Sequence, residues 1–383
     1  LKRGLDVLAM FCLVPYALLM VDILADQPKK GRGAVSNAAG RFETHARVAI
    51  DDGWSLTGDE CAPSKLKTEV TVECAKSALT RNASPDLPFD RSLNPYRGCE
   101  HGCVYCYARP SHAYMNLSPG LDFESKLFVK KDMAAVLESE LRKPSYQPAP
   151  VMIGANTDPY QPIEREHRVT RDLLEVLHAY RHPAVIITKS HLITRDLDIL
   201  GAMAADGLVS VGISLTTLDA GLARKMEPRA STPPKRLDAM RTLSGAGVPV
   251  AVLAAPMVPT LNDHELEAIL QVSAEAGASV ATYILLRLPW ELQGLFSEWL
   301  ETHAPHKAKR VMSLLSQSRG GQHNDSQFGT RMTGTGVHAK LLSQRFGLAC
   351  KKLGLTRADP GEFRLNINSF TRPLRVGDQL PLL

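Results

Sequence analysis

The chain has 383 residues, 44% of them hydrophobic and 22% charged, with a formal net charge of +5. Such a chain can build one large α/β core with appendages, or two domains, and the balance of apolar and charged residues excludes a disordered or fibrous protein. The weak net charge makes no case for nucleic acid, and seven cysteines, three clustered and four scattered (Cys12, Cys61, Cys74, Cys350), do not read as a disulfide framework.

At the start, Lys2 and Arg3 precede an uncharged, mostly apolar run, Val7–Val21, interrupted by Pro15. The run falls short of the roughly 20 residues a membrane-spanning helix needs. A signal peptide fits the basic start and the apolar stretch. Against it, Asp22 and Asp26 stand where a cleavage site belongs. A local helix or a stretch foreign to the native protein is favoured over export, so residues 1–28 are set apart from the fold. Residues 29–92 are rich in Gly, Asn, Asp, Ser and Pro and are expected to form an irregular N-terminal extension. Within it, Lys29–Phe42 is basic and Gly-rich, and Glu69–Ala75 reads as a short strand.

From Asn94 to Leu288, short β-branched runs alternate with helical patterns. The expected strands are Pro150–Gly154, Ala184–Thr188, Leu208–Leu215, Val248–Ala255 and Ser279–Leu286. Arg168–Arg181 and His264–Ala276 carry apolar residues at three-to-four spacing, as amphipathic helices do. Such alternation predicts a parallel sheet with right-handed crossovers. Counting a short strand before Cys99 gives about six βα units, too few for an eight-fold barrel. The core is expected over residues 93–300. Helices Glu291–His303, Lys307–Ser318 and Val337–Gly354 follow, so 301–383 is read as a helical C-terminal extension.

The sharpest signal is Cys99–Cys106, C-E-H-G-C-V-Y-C. Thiolates select iron–sulfur clusters or zinc. Structural zinc wants four ligands, and no second cysteine pair supplies them; a knuckle completed by His101 or His112 is the competing reading. Three thiolates on a four-iron cubane leave one iron open for chemistry. Gly98 and Gly102 permit the tight loop this needs.

The chain resembles the radical S-adenosylmethionine (radical SAM) superfamily. The motif C-x-x-x-C-x-x-C, followed by an aromatic and ahead of six βα units, carries that resemblance. Four segments look like the spore photoproduct lyase-like branch, often labelled DNA repair photolyase. They are Asn94–Ser111 (NPYRGCEHGCVYCYARPS), Thr157–Glu164 (TDPYQPIE), Ile187–Ser190 (ITKS) and Pro256–Asp263 (PMVPTLND). The resemblance runs from about Gly31 to Gly354. It implies a partial (β/α)6 TIM-like barrel with N- and C-terminal extensions, and a [4Fe–4S] cluster on Cys99, Cys103 and Cys106. It also implies S-adenosylmethionine as cosubstrate, an electron donor such as flavodoxin or ferredoxin, a cytoplasmic enzyme and no stable membrane association.

The same resemblance assigns cosubstrate-binding candidates. Thr157 and Asp158 match the groups that hold the methionine amine, although Asn-Thr-Asp-Pro is also good turn chemistry. Lys189, at a strand end, matches a partner for the methionine carboxylate, with a solvated strand end as the alternative. Ser214 matches a position near ribose and sulfonium, with Thr216 beside it. Glu227 and Arg229, in M-E-P-R, are candidates for ribose or substrate, against the alternative of a salt bridge. Tyr107 suits adenine. Tyr105 and Tyr107 match tyrosines linked to a radical relay, against the alternative of packing around the cluster. One departure matters: the lyases carry a hydrogen-donating Cys where this chain reads Ile153-Gly154-Ala155-Asn156. The resulting expectation is a 5′-deoxyadenosyl radical enzyme whose substrate is nucleic acid or, alternatively, RNA, a peptide or a small metabolite. A non-enzymatic Fe–S or zinc protein is the remote third reading. His112, Trp290 and Trp299 are read as packing or surface, and Lys351, Lys352 and Arg357 as a solvated face. Any nucleic acid is expected to bind through Lys29, Lys30, Arg32 and the C-terminal basic residues.

Overall fold

The computed structural model describes residues 26–43, 66–358 and 365–373. The apolar run Val7–Val21, Cys12 and Cys61 lie outside them. Eleven strands are described: β1 (Glu69–Val72), β2 (Leu79–Arg81), β3 (Arg91–Leu93), β4 (Tyr96–Arg97), β5 (Lys126–Val129), β6 (Val151–Ile153), β7 (Ala184–Thr188), β8 (Val209–Ser214), β9 (Val250–Met257), β10 (Val280–Leu285) and β11 (Thr356–Arg357). The main sheet runs β11-β10-β9-β8-β7-β6-β3-β2. Every neighbouring pair in it is parallel except β2–β3, which is antiparallel. A small second sheet, β1-β5-β4, lies beside the cysteine loop in sequence.

The six expected βα strands are β3 and β6–β10, and the partial-barrel expectation holds. The physical cause is plain in β7, whose run AVIIT buries four of five residues. A parallel strand covered on both faces needs such continuous apolar, β-branched sequence. Between strands, helix Val169–Ala179 turns Val169, Leu173, Leu174 and Leu177 into the core. Because the strands are parallel, their C-terminal ends share one edge of the sheet. Ile153, Thr188, Ser214, Met257 and Leu285 end there, and the site is built on that edge.

Four strands were not legible: β2, β4, β5 and β11. β2 and β11 hold three and two residues, and their pairing partners rather than any local pattern create them. The expected packing residues divide: Trp299 is fully buried and stacks on Phe296 at 5.6 Å between ring centroids, whereas Trp290 is exposed. His112 is fully buried, its Nε2 3.0 Å from the Lys126 carbonyl. Among the described residues no helix is long and apolar enough to cross a membrane.

Candidate active site

The Cys99–Cys106 loop forms the floor of a cleft of about 740 Å³ at the strand ends, and all three cysteines line it as free thiols. Gly98 and Gly102 adopt φ of 74° and 66°. A Cβ on Gly102 would stand 2.6 Å from Glu124 Oε2, so that position admits only glycine. Burial pushes the Cys99 thiol well above its usual value, and Asp158 and the other two cysteines add to the shift. Burial likewise pushes Cys103 up to about 12, against the opposing charge of Lys189. Buried thiolates of this kind need metal cations to neutralise them. Among the described residues no three metal-ligating groups close around a single ion. That is compatible with a cubane, in which each thiolate takes a different iron, so the donor set fits a three-cysteine cluster.

A fully buried ion pair clamps the loop. Arg109 Nη2 donates to Glu124 Oε1 at 2.5 Å, with both side chains wholly inaccessible. The same guanidinium donates to the carbonyls of Gly102, Cys103, Pro119 and Gly120. Glu124 also accepts Gly33 N at 2.9 Å and Ala34 N at 2.8 Å. The Gly-rich segment read as irregular is therefore irregular but built in, with Ala34 and Val35 buried. Arg32 belongs to it as well: its guanidinium donates to the Glu124 carbonyl and to Thr68 Oγ1. Arg32 is committed to architecture rather than held out for a nucleic acid.

The cosubstrate candidates divide by what they touch. Lys189 lines the cleft with its Nζ 5.8 Å from the Tyr105 ring centroid and no ion-pair partner among the described residues. Burial works against its charge, but Cys103 and Glu227 outweigh burial and raise its pKa. Asp158 lines the cleft too, yet its oxygens are taken. Oδ1 accepts Tyr160 N at 2.9 Å and Thr188 Oγ1 at 2.7 Å, and Oδ2 accepts Lys189 N at 2.8 Å. His101 Nδ1 stands 3.3 Å from Oδ2 without the alignment of a hydrogen bond. Burial would raise the Asp158 carboxyl, but His101 and these hydrogen bonds outweigh it and hold it at about 2. Thr157 Oγ1 donates to the Tyr96 carbonyl at 2.9 Å. These are bonds that the turn alternative also expects, and Asp158 fixes the backbone of Lys189. Ser214 lines the cleft and donates to the Ala255 carbonyl at 3.2 Å.

Glu227 and Arg229 are not among the residues that line the cleft. Glu227 lies behind it in a buried network, accepting Tyr105 OH, Thr216 Oγ1 at 2.8 Å and Arg236 Nη2. Burial raises its carboxyl, but Arg236 and Lys189 outweigh that and lower it. Arg229 pairs with Glu100 of the cysteine loop at 2.9 Å, as the salt-bridge alternative has it. Tyr105 is buried at the cleft floor, and Tyr107 is half exposed, its hydroxyl donating to the Ala155 carbonyl. Sequence reasoning missed Arg109, Glu124 and Gly33, which hold the loop, and Arg287, which enters the cleft above Tyr107 with 5.6 Å from Cζ to ring centroid.

The sequence profile of the radical SAM superfamily matches residues 93–272. An uncharacterized protein of Mycobacterium tuberculosis (strain H37Rv) is 39% identical over 243 residues, covering 62% of this chain and 71% of that protein. The chain belongs to the radical SAM superfamily. Its cofactors are those of the superfamily, a [4Fe–4S] cluster and S-adenosylmethionine. A second relative, an uncharacterized protein of Methanocaldococcus jannaschii, is 29% identical over 199 residues, covering 52% of this chain and 71% of that protein. Among solved structures, spore photoproduct lyase complexed with dinucleoside spore photoproduct superposes with a TM-score of 0.53 at 17% identity, covering 75% of this chain and 81% of that chain. A mutant of that lyase with bound AdoMet and the same dinucleoside gives a TM-score of 0.52 at 17% identity, with the same coverage. At that identity the likeness is one of fold, and it matches this radical SAM chain over most of its length.

Proposed function

We propose that this chain is a radical SAM enzyme in which Cys99, Cys103 and Cys106 hold the cluster and Lys189 binds the carboxylate of S-adenosylmethionine. When bound, the cofactor pair supplies reductive cleavage to methionine and a 5′-deoxyadenosyl radical, which takes a hydrogen atom from the substrate. The observation that carries the reading is the convergence of three free thiols and one unpaired lysine in a single cleft. Asp158 holds the Lys189 backbone, and the Tyr105 ring lies under its ammonium. The reductant in this reading is an electron donor such as flavodoxin or ferredoxin, and a cytoplasmic location belongs to the same proposal.

The cleft also bears on the second half of the reaction. Among the described residues lining it, the only cysteines are the three of the cluster loop. Cys74 is exposed and Cys350 is buried in helix Gly336–Leu353, and neither reaches the cleft. A reaction that returns a hydrogen atom from a strand-end thiol is therefore disfavoured, and modification of a substrate without such a return is favoured over lesion reversal. A repair lyase acting on nucleic acid is the second reading, supported by the fold it shares with spore photoproduct lyase.

The test is anaerobic reconstitution followed by metal, sulfide and nucleoside analysis. About four irons and four sulfides per chain are expected, with slow release of 5′-deoxyadenosine from the reduced protein. Alanine at Cys99, Cys103 or Cys106 abolishes the brown chromophore, and alanine at Cys74 or Cys350 does not. Stoichiometric zinc without iron in protein purified away from oxygen would falsify the reading.

A further inference from the structure

One wall of the cleft carries a charge for which the reactions above have no use. β10 ends at Leu285, and the segment after helix Pro305–Gln317 folds back over that end. Leu285 N donates to the Met332 carbonyl at 2.9 Å and Leu288 N to the His323 carbonyl at 3.2 Å. Arg319 Nη2 donates to the carbonyls of Leu285 and Leu286 at 2.7 and 3.0 Å, and its Nη1 to that of Arg331 at 2.7 Å. The backbone on both sides of Arg287 is thus fixed by hydrogen bonds.

The Arg287 side chain, by contrast, has no hydrogen bond or ion pair among the described residues. Its guanidinium lies over the Tyr107 ring and faces the cleft. Two further arginines stand beside it. Arg331 takes the carboxylate of Asp86, with Nε 2.7 Å from Oδ2. Arg319 is buried and takes only carbonyls, its Nε unpaired. Among the described residues, the three guanidinium groups are faced by two carboxylates, Asp86 and, at Arg319, Asp325. Burial and the charge of Arg331 both lower the Arg287 pKa. Like charges gathered in a half-buried wall are costly unless an anion completes the group. The planar fork of a guanidinium matches the oxygens of a phosphate in a two-point contact.

We propose that Arg287 anchors a phosphate ester carried by the substrate, on the wall of the cleft formed by the end of β10. Assigning that anion to the substrate rests on the radical SAM reading, which gives Lys189 to the cosubstrate. The phosphate is either a monoester, as on a nucleotide, or a diester within a polynucleotide chain. In both cases the Arg287 fork receives two of its oxygens, and the reacting carbon reaches toward the cluster floor.

The test uses oxidised, reconstituted protein with saturating S-adenosylmethionine, so that Lys189 is occupied. Thymidine, thymidine 5′-monophosphate and thymidylyl-thymidine are titrated calorimetrically, with acetate and inorganic phosphate as competitors. At least one phosphorylated probe is expected to bind about tenfold or more tighter than thymidine, a difference of about 1.4 kcal/mol. Arg287→Ala is expected to erase that preference and Arg287→Lys to keep part of it. The monoester and diester arms tell a nucleotide from a chain. Equal binding of thymidine and both phosphorylated probes by the parent protein overturns the proposal. So does a preference that survives Arg287→Ala, or acetate competing as well as phosphate. Loss of iron or of S-adenosylmethionine from Arg287→Ala also overturns it, because Arg287 then balances the cofactors. Arg287→Gln serves if the alanine variant does not fold. Iron content and 5′-deoxyadenosine release of the parent protein are read separately, so a failure of the radical SAM reading is distinguished from a failure of the phosphate site.

Discussion

The cysteine loop and the end of β10 face the same cleft and treat charge in opposite ways. In the loop wall the buried Arg109 guanidinium meets four carbonyls and a carboxylate, and Glu124 binds Arg109 and two backbone N–H groups. In the β10 wall the backbone is just as well tied, yet among the described residues the Arg287 side chain has no hydrogen bond or ion pair and lies over the Tyr107 ring. The difference separates architecture from recognition. A buried polar group with all its bonds made reports what holds the fold. A charge kept near a cleft with none made reports what the cleft receives. Lys189 is like Arg287 in lining the cleft without an ion pair among the described residues, and Glu227 is like Arg109 in being buried and hydrogen-bonded.

The comparison breaks most decisively at Glu124. Glu124→Ala leaves Arg109 buried without a counter-charge, which costs about 3–5 kcal/mol. Urea denaturation is expected to show that loss, and reconstituted protein should hold little iron. Arg109→Lys keeps the charge but cannot bridge the carbonyls of Gly102, Cys103, Pro119 and Gly120, so it should fall between the two. Unchanged stability and iron content in Glu124→Ala would mean that the loop is held by something else.

At Lys189 the expected effect is on binding rather than on the fold. Lys189→Ala should weaken S-adenosylmethionine by about 2–5 kcal/mol at most, since a desolvated charge pair is lost, while the urea midpoint stays near that of the parent. Equilibrium binding to oxidised, reconstituted protein measures it. Binding as tight as the parent's removes Lys189 from the carboxylate role.

What the sequence showed and what it hid follow from the range of the interactions. β7 was readable because five consecutive residues carry the whole signal, and the three cysteines because they fall within eight consecutive positions. The clamp was not readable: Glu124 joins Arg109, Gly33 and Ala34 across a gap of up to 91 residues, and nothing local marks any of them. Thr157 and Asp158 were correctly placed at a strand end, but sequence cannot show that neighbouring donors and acceptors already occupy them. Glu227 and Arg229 are ribose or substrate candidates from sequence, and the structure pairs them with Arg236 and Glu100, contacts that no local pattern marks. Arg287 is the reverse case, an unremarked arginine whose guanidinium, among the described residues, has no hydrogen bond or ion pair.

Gly33 offers a smaller test of the loop wall. A Cβ there would lie 1.8 Å from the Gly102 carbonyl oxygen. Gly33→Ala must therefore push the N-terminal segment away from the loop, at a cost of about 1–3 kcal/mol typical of overpacking. The segment should become cleavable by protease near Lys29 while the barrel remains folded. An alanine variant as stable and as protected as the parent would show that the close approach is not needed.

The smallest expected effect is on the β10 wall, and it has two signs. Asp86 is the carboxylate that faces Arg331 and Arg287, and Arg331 binds it with both side chains largely buried. Burial raises the Asp86 carboxyl, but the hydrogen bonds and charge of Arg331 outweigh it and lower its pKa below the ordinary value. A carboxylate lowered on folding stabilises the protein above its unfolded pKa, about 3.9, and loses that contribution as pH falls through the folded value. Asp86→Asn should thus cost on the order of 1 kcal/mol at neutral pH, with the gap to the parent narrowing under acid, as urea midpoints at several pH values will show. The same substitution removes the carboxylate that faces Arg331 and Arg287. If Arg287 receives a phosphate, Asp86→Asn must tighten phosphate binding even as it weakens the fold. A variant that loses both stability and phosphate affinity would place Asp86 with the clamp, as a group whose geometry the site needs, and would erase the contrast between the two walls.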